Sequence, residues 1–354
     1  MRFTLPPLGE AGQRFQDWLG SEYQGEMSYL AHRKAERISP ERLLSEIQSV
    51  IVVAHPYDSG LENSHDPKIA NLSRYAWGED YHEVLRDKLL DFQAWLAARI
   101  PQLACFVSVD SSPVLEKGWA EKAGLGWMGK HTNIIDANTG SYFFLSVLLT
   151  NLPFTPDEET PNRCGSCEAC IEVCPTRAIV APYVLDARLC ISYLTIELKG
   201  AIPRHLRTMI GNRVFGCDDC QEVCPWNRFS KPTEEGRFMP REGLRGQPLE
   251  SFLSLDEAGF KKKFAGSAVL RAKRKGFLRN VCVAIGNSGA PELAKSLLPM
   301  LRDPEALVRG HAVWAYARLL GAGAREELKL ELVGETDPFV LVELNLALHS
   351  PELL

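Results

Sequence analysis

The sequence predicts a mixed α/β protein of three consecutive parts: an α/β domain over residues 1–155, a small cysteine-rich module over residues 156–228, and a connector with α-helical repeats over residues 229–354. Three observations lead to this prediction. β-Branched runs alternate with apolar residues at helical spacing in the first part, eight of the ten cysteines fall in the second, and helical spacing dominates the third. A chain of 354 residues is long enough for such domains.

In the first part, predicted strands and helices alternate. Residues 49–55 (SVIVVAH) form an apolar run that ends at Pro56, which is typical of a buried strand. Residues 80–100 carry apolar side chains at helical spacing and stop before Pro101. The same criteria predict, in order, a strand at 105–109, a helix at 112–124, a glycine-rich turn at 124–130, and strands at 132–135 and 142–150.

The third part has a helical pattern that continues to the end of the chain. Residues 271–288 and 305–320 are each predicted to be helices. An Asp-Pro pair precedes helical runs at Asp303 and again at Asp337, 34 residues later. This spacing predicts HEAT-like helical repeats.

Composition narrows the class of protein. Apolar residues make up 45% and charged residues 24%, which is typical of a soluble globular protein. No apolar run approaches the ~20 residues that a membrane span needs, and the first ten residues lack the features of a secretory signal. We therefore expect a cytoplasmic protein without a membrane partner, with its thiols reduced rather than paired in disulfides. Nothing in the sequence predicts an oligomer, so we expect a monomer.

The cysteines have the spacing of a two-cluster ferredoxin. A Cys-x2-Cys-x2-Cys-x3-Cys-Pro run is followed by a Cys-x2-Cys-x3-Cys-Pro run, with one further cysteine between them. Structural zinc sites are the alternative, but they use two Cys-x2-Cys pairs per ion without this third cysteine. With the ferredoxin crossover, one [4Fe–4S] cluster is assigned to Cys164, Cys167, Cys170 and Cys224, and the other to Cys174, Cys190, Cys217 and Cys220.

One segment differs from the rest in charge. Residues 261–279 contain eight Lys or Arg and no acid, whereas the whole chain has a net charge of −5, so the remainder sums to −5 − 8 = −13. A solvated helix face is one interpretation, and a surface for nucleic-acid phosphates is the other. For the second interpretation the candidate contacts are Lys273, Arg274 and Lys275.

Long motifs in fixed order give the chain a family resemblance. They are WGEDYH at 77–82, VDSSPVLEKGWAEKAGLGWMGKHTN at 109–133, GSYFFL at 140–145, CISYLT at 190–195 and IGNRVFGCDDCQEVCPWN at 210–227. With the helical tail, they make the chain resemble the epoxyqueuosine reductases, which complete queuosine synthesis in tRNA. Two departures are visible: the chain begins with less structure than the family usually has, and His131 follows Gly-Lys where the family often has asparagine.

The resemblance implies a cobalamin cofactor in the first domain, which would be related to the corrinoid reductive dehalogenases. It also implies a tRNA substrate with an epoxycyclopentane on an anticodon base, and an external one-electron reductant. The residues that it places near cobalamin are Arg37, Ser73, Asp110, Gly129, Lys130, Ile134, Ser141, Ser192 and Thr195. For Ser141, Ser192 and Thr195 taken one at a time, the sequence favours turn formation or packing over a cobalamin contact.

The resemblance makes Asp110 the acid that protonates the departing epoxide oxygen. From the sequence alone, Asp110 would instead cap the helix predicted near Ser112. An acid role would require a raised pKa, from burial or from a neighbouring carboxylate. Asp80 and His82 are either a helix cap and a surface residue or part of the wall that holds the modified base. Tyr75, Trp77 and Tyr81 could stack on a base or be core residues.

Two rival functions remain at this point. A reductive dehalogenase acting on small molecules would usually have an export signal and no helical tail. A ferredoxin-like electron carrier would leave the first domain without a purpose. We therefore expect a cobalamin- and iron–sulfur-dependent enzyme that reduces epoxyqueuosine in tRNA.

Overall fold

A computed structural model describes residues 1–349, and it confirms the predicted mixed α/β class. The chain forms two compact units. The first contains Met1–Leu61, Gly78–Arg188 and Asp218–Met239, and the second contains Glu62–Trp77, Leu189–Cys217 and Pro240–Leu354. Within the described residues, no helix is both long enough and apolar enough to span a membrane. The division into three consecutive domains remains a prediction.

A four-stranded sheet organises the first unit. Its strands lie in the order Arg2–Thr4, Ser49–Pro56, Phe143–Thr150 and Cys105–Ser108, and each pair of neighbours is antiparallel. The long central strands confirm two of the predicted strands almost to the residue. Because side chains alternate across a strand, the sheet buries apolar residues on both faces.

Each face of the sheet has its own core. Val50 and Val52 point to one face, where they pack with Trp119 of the helix Glu116–Lys122. Ile51 points to the other face, where it packs with Leu96 of the helix Tyr81–Ala97. The two helices that carry the candidate site residues are therefore fixed by opposite faces of one sheet.

The sequence predicted one helix with wrong bounds. The helix expected at 112–124 begins only at Glu116 and ends at Lys122. The chain just before it is not helical, because Leu115 has a non-helical backbone with ψ of 73°. Asp110, two residues before the predicted start, has a left-handed backbone with φ of 53°. The N-cap residue is Leu115 and there is no side-chain cap, so the interpretation of Asp110 as a helix cap is wrong.

Further elements of the first unit are short. Two hairpins pair Trp127–Met128 with Ile134–Ile135 and Ile179–Ala181 with Val184–Leu185. The glycines of the turn before Ile134 are needed for packing within the protein, because a Cβ at Gly124 would collide with the carbonyl oxygen of Glu158. The α-helices are Glu10–Gly20, Ser28–Ala31, Lys34–Ile38, Ala169–Val173 and Asp219–Glu222.

The second unit is mainly helical. A short parallel pair, Asn71–Leu72 with Arg213–Phe215, is its only sheet among the described residues. Its α-helices are Ile191–Ile196, Arg204–Arg207, Glu257–Lys263, Lys273–Asn287, Ala306–Leu320, Arg325–Glu331 and Pro338–His349, and Pro291–Arg302 is a 3-10 helix. The second Asp-Pro pair starts a helix as expected, since the Asp337 carboxylate accepts hydrogen bonds from the backbone N–H groups of Phe339 and Val340.

Candidate active site

In the first unit, the consecutive residues Asp80, Tyr81 and His82 form a hydrogen-bonded group with Asp110. Tyr81 donates its hydroxyl to Asp110 Oδ2 at 2.5 Å, and His82 Nε2 lies 3.3 Å from the same oxygen. The other ring nitrogen of His82, Nδ1, lies 2.7 Å from Asp80 Oδ1. The imidazole thus bridges two carboxylates.

The local fold explains this arrangement. Asp80 is the N-cap of the helix Tyr81–Ala97, and its carboxylate accepts the backbone N–H of His82 as well as bonding the ring. The helix-cap interpretation of Asp80 is therefore confirmed, whereas a role for Asp80 in holding the modified base stays a prediction. Asp110 follows the strand Cys105–Ser108, and its left-handed backbone turns the chain just after the strand ends.

The two carboxylates hold a proton on His82. Burial alone would lower the pKa of His82, but hydrogen bonds to Asp110 and Asp80 outweigh it and raise the pKa to about 9. Burial would raise the pKa of Asp110, but hydrogen bonds from His82 and Tyr81 outweigh it and lower the pKa. The raised pKa that an acid role would require of Asp110 is thus not found in the resting protein, where Asp110 is ionised and His82 carries the proton.

Asp110 is also accessible from outside. Protein atoms surround its carboxylate, yet 62% of its side chain is exposed to solvent. A group with many neighbours and an exposed surface stands in an open recess, where a substrate atom can reach it. His82 is about half as exposed, at 35% of its side chain.

Glu116 lies behind Asp110, and the sequence analysis did not single it out. Its Oε1 accepts the backbone N–H of Asp110 at 3.1 Å and the hydroxyl of Ser108 at 2.8 Å. Burial and then the charge of Asp110 raise the pKa of Glu116 to about 7. The position of Glu116 in the first turn of the helix after Pro113 is the feature of the sequence that could have identified it. Tyr81 was considered only as a stacking aromatic, although its position between Asp80 and His82 pointed to the site.

The aromatic residues proposed for base stacking have different surroundings. Trp77 is 1% exposed and donates its indole N–H to the carbonyl of Leu72, so it is a core residue of the second unit. Tyr75 packs beside Phe215 in the same unit. Tyr81 stacks on Phe144 with ring centroids 4.3 Å apart, which orients its hydroxyl toward Asp110.

The structure brings one predicted set of cysteines together. Cys164, Cys167, Cys170 and Cys224 line a common cavity of about 120 Å³ in the first unit. Burial and then the nearby thiols Cys164, Cys224 and Cys167 raise the pKa of Cys170 to about 11. Among residues 1–349 no group of three or more Cys, His, Asp or Glu side chains is arranged around a single ion.

The other predicted set is divided between the units. Cys174 and Cys220 belong to the first unit, and Cys190 and Cys217 belong to the second. The sulfur of Cys174 accepts the backbone N–H of Ala178 at 3.3 Å. Cys190 immediately precedes the helix Ile191–Ile196.

The predicted cobalamin contacts fall into two groups. In the first unit, Ile134 is 2% exposed in a strand of the core, and Ser141 bonds Asn227 and Gln221. Arg37 is buried, and its Nε has no hydrogen-bond partner in the described part of the chain. Gly129 and Lys130 lie in the turn beside the cysteine cavity, and Lys130 lines that cavity.

Three predicted cobalamin contacts belong to the second unit. The hydroxyl of Thr195 donates to the carbonyl of Ile191 and accepts the backbone N–H of Gly216, and the residue is fully buried. Ser73 is buried beside Gly216. Ser192 lies one residue into the helix Ile191–Ile196 and is partly exposed.

The basic segment is mostly engaged within the second unit. Arg279 is fully buried and donates to the carbonyl oxygens of Leu194, Leu198 and Gly200. Arg274 pairs with Asp303 at 2.5 Å and has an 11% exposed side chain. Arg274 is therefore engaged in packing, and the predicted phosphate contacts narrow to the exposed residues Lys273 and Lys275.

Comparison with known proteins agrees with this geometry. Residues 163–227 match the family model of a 4Fe-4S double cluster binding domain, and residues 37–111 match that of epoxyqueuosine reductase QueG, DUF1730. The epoxyqueuosine reductase of Pseudomonas aeruginosa is 44% identical over 323 residues, which cover 88% of this chain and 88% of that protein.

Solved structures are similar over the whole chain. An epoxyqueuosine reductase crystallised with an epoxyqueuosine-modified tRNA-Tyr stem loop has a TM-score of 0.90 and 30% identity, covering 100% of this chain and 94% of that one. The Bacillus subtilis epoxyqueuosine reductase, solved with its catalytic aspartate loop swung out of the active site, has a TM-score of 0.89, 30% identity and the same coverage. By the extent and level of these similarities, this chain belongs to the epoxyqueuosine reductase family.

Proposed function

We propose that this chain reduces epoxyqueuosine to queuosine in the anticodon of tRNA, with Asp110 as the proton donor to the epoxide oxygen. The reaction removes one oxygen: the epoxide, two electrons and two protons give an alkene and water. Family membership supports the activity, and the relative solved with a modified tRNA stem loop supports the substrate. The observation that carries the role of Asp110 is its hydrogen-bonded contact with a protonated His82 in an open recess.

The proton that the reaction needs is held by His82, which contacts the proton donor Asp110. With a pKa of about 9, His82 is protonated near neutral pH, and its Nε2–H points at Asp110 Oδ2. As the C–O bond breaks, the oxygen becomes basic, and the proton of His82 passes to Asp110 Oδ2 and from there to that oxygen. General acid catalysis of this kind typically contributes ~10²–10⁴-fold in rate.

The neighbours of this pair keep it in position. Asp80 fixes the imidazole from its other nitrogen, and Tyr81 bonds the same oxygen of Asp110. Glu116 holds the backbone of Asp110 through its N–H group. The catalytic aspartate loop described for the Bacillus subtilis relative supports a loop of this kind as the place of the acid.

The cofactors proposed are two [4Fe–4S] clusters and cobalamin. The double-cluster family model and the shared cavity of Cys164, Cys167, Cys170 and Cys224 support the first cluster, and the remaining cysteines named above would hold the second. The buried, unpartnered Nε–H of Arg37 fits the amide carbonyls at the rim of a corrin. When bound, cobalamin would supply the strong reductant for the C–O bond, and the clusters would supply electrons singly.

For binding tRNA we propose Lys273 and Lys275, together with HEAT-like repeats in the second unit. Both lysines are exposed, and phosphate contacts would give affinity without dependence on base sequence. The external one-electron reductant, the monomeric state and the cytoplasmic location remain parts of this proposal.

The test compares two matched aspartate variants. Asp110→Asn keeps the shape of the side chain and removes the acid, whereas Asp91→Asn makes the same change at an exposed position of the helix Tyr81–Ala97. With cobalamin, reconstituted clusters and tRNA, Asp110→Asn should lose ~10²–10⁴-fold in turnover and Asp91→Asn should lose nothing. Product is measured as queuosine by mass spectrometry of nucleosides. Near-normal turnover of Asp110→Asn would refute its role, and inactivity of the unmodified protein would refute the function.

A further inference from the structure

We propose that His131 donates a hydrogen bond from Nε2 to the cluster held by Cys164, Cys167, Cys170 and Cys224, and thereby raises the reduction potential of that cluster. The proposal rests on the cluster assignment made above and concerns a residue to which that assignment gives no role. It starts from a buried nitrogen that lacks a partner.

The nitrogen belongs to a residue of the cysteine cavity. His131 is 3% exposed, and it lines the same cavity as the four cysteines. Its Nε2 is buried and has no hydrogen-bond partner within residues 1–349. Burying an N–H group without a partner destabilises the protein, so a donor of this kind at a cavity indicates that the occupant of the cavity accepts its hydrogen bond.

Geometry fixes which nitrogen carries the hydrogen. The backbone N–H of Asn133 donates to His131 Nδ1 at 3.1 Å, so Nδ1 presents a lone pair. In a neutral imidazole the other nitrogen then bears the hydrogen, and Nε2 is a donor. Cysteine thiolates and cluster sulfides offer only acceptors, so the two sides of the cavity are complementary.

The ring is also held in place from behind. A Cβ at Gly129 would lie 2.8 Å from Cε1 of His131 and 3.1 Å from its Nδ1. Glycine at this position therefore leaves room for the imidazole, and Asn133 sets its rotation. A hydrogen-bond donor with a fixed position and orientation can shift the reduction potential of a cluster that accepts its bond.

The expected consequence follows from charge. Reduction adds one negative charge to the cluster, and a hydrogen-bond donor stabilises the reduced form more than the oxidised form. A bond that is about 1.4 kcal/mol stronger to the reduced than to the oxidised cluster raises the ratio of reduced to oxidised cluster about tenfold, which corresponds to about 59 mV for one electron.

The test uses three variants of the full chain with both clusters reconstituted. His131→Leu removes the donor, His131→Gln keeps an N–H donor on a side chain of similar reach, and Gly129→Ala keeps the histidine but crowds its ring. Midpoint potentials of both clusters are measured by redox titration with electron paramagnetic resonance. We expect a negative shift of the first cluster in His131→Leu, a smaller one in Gly129→Ala, and recovery in His131→Gln, while the second cluster stays unchanged as an internal reference.

A measurement on the unaltered protein covers the case in which a variant loses the cluster. With ¹⁵N-labelled histidine, electron–nuclear double resonance of the reduced first cluster should detect a ¹⁵N coupling and a proton that exchanges in D₂O. Absence of both signals would overturn the proposal, as would an unchanged midpoint in His131→Leu or an equal shift of both clusters. Iron and sulfide analysis is done first, so failure of the cluster assignment is seen separately.

Discussion

Charged side chains are used differently in two regions of the molecule, the group around Asp110 and the basic segment at residues 261–279. In the first region, His82 lies within hydrogen-bond distance of both Asp80 and Asp110, and Asp110 is largely exposed. Along 261–279 the sequence is richer in charge, but Arg274 and Arg279 are engaged in contacts inside their own unit. A run of charged residues in the sequence therefore does not show which of their side chains are free to contact a substrate. A few charged residues that the fold brings together can form a site able to transfer a proton.

The largest expected effect tests whether Arg279 is structural. Replacing Arg279 with Met should leave the carbonyl oxygens of Leu194, Leu198 and Gly200 without this donor in a buried place. We expect a loss of about 3 kcal/mol or more in the free energy of unfolding, measured by urea denaturation. The matched change at an exposed lysine of the same segment, Lys262→Ala, should stay within about 0.5 kcal/mol. Equal effects of the two changes would contradict the distinction between buried and available charge.

The second effect concerns pH and the pair His82–Asp110. Because the pKa of His82 is raised from 6.5 to about 9, the imidazole is protonated below that pH and loses its proton as pH rises through it. We therefore expect kcat to be level near neutral pH and then to fall about tenfold per pH unit above about 9. His82→Gln should lower kcat and remove this alkaline limb. A limb that persists in His82→Gln would assign it to another group.

The smallest effect tests what remains of the basic segment. The double change of Lys273 and Lys275 to Ala should weaken tRNA binding and reduce the log–log salt slope by up to ~0.7–0.9 for each phosphate that is no longer neutralised. Turnover at saturating tRNA should change little, since these groups would bind substrate and transition state alike. Affinity is measured by filter binding at several salt concentrations. An unaltered slope would leave Lys273 and Lys275 with no part in binding tRNA.

The sequence predicted local structure where local chemistry decides it. The apolar run at 49–55 and the spacing from residue 80 both indicated the correct element, because burial and periodicity are properties of neighbouring residues. The helix after Asp110 was placed too early, since its start depends on the left-handed turn at Asp110 and on Glu116 binding that backbone.

The sequence analysis named residues of the candidate site, but it did not predict which of them carries the proton. Asp80, His82 and Asp110 were named, but the direction in which the pKa of Asp110 is shifted depends on which groups donate hydrogen bonds to it. Those donors, Tyr81 and His82, are 29 and 28 residues away in sequence and meet Asp110 only in the folded unit. The burial of Arg274 had the same cause, because its partner Asp303 lies 29 residues away.

The left-handed backbone of Asp110 has a consequence for how this position can vary during evolution. With φ of 53°, glycine, asparagine and aspartate are the residues that this backbone favours most. Of these, glycine has no side chain and asparagine has no acidic proton, so backbone and chemistry favour the same single residue. Glutamate, the nearest chemical relative, would keep the carboxyl group but adopts this backbone less readily than aspartate. Saturation mutagenesis at residue 110 should therefore recover aspartate alone, with no neutral route to any other amino acid.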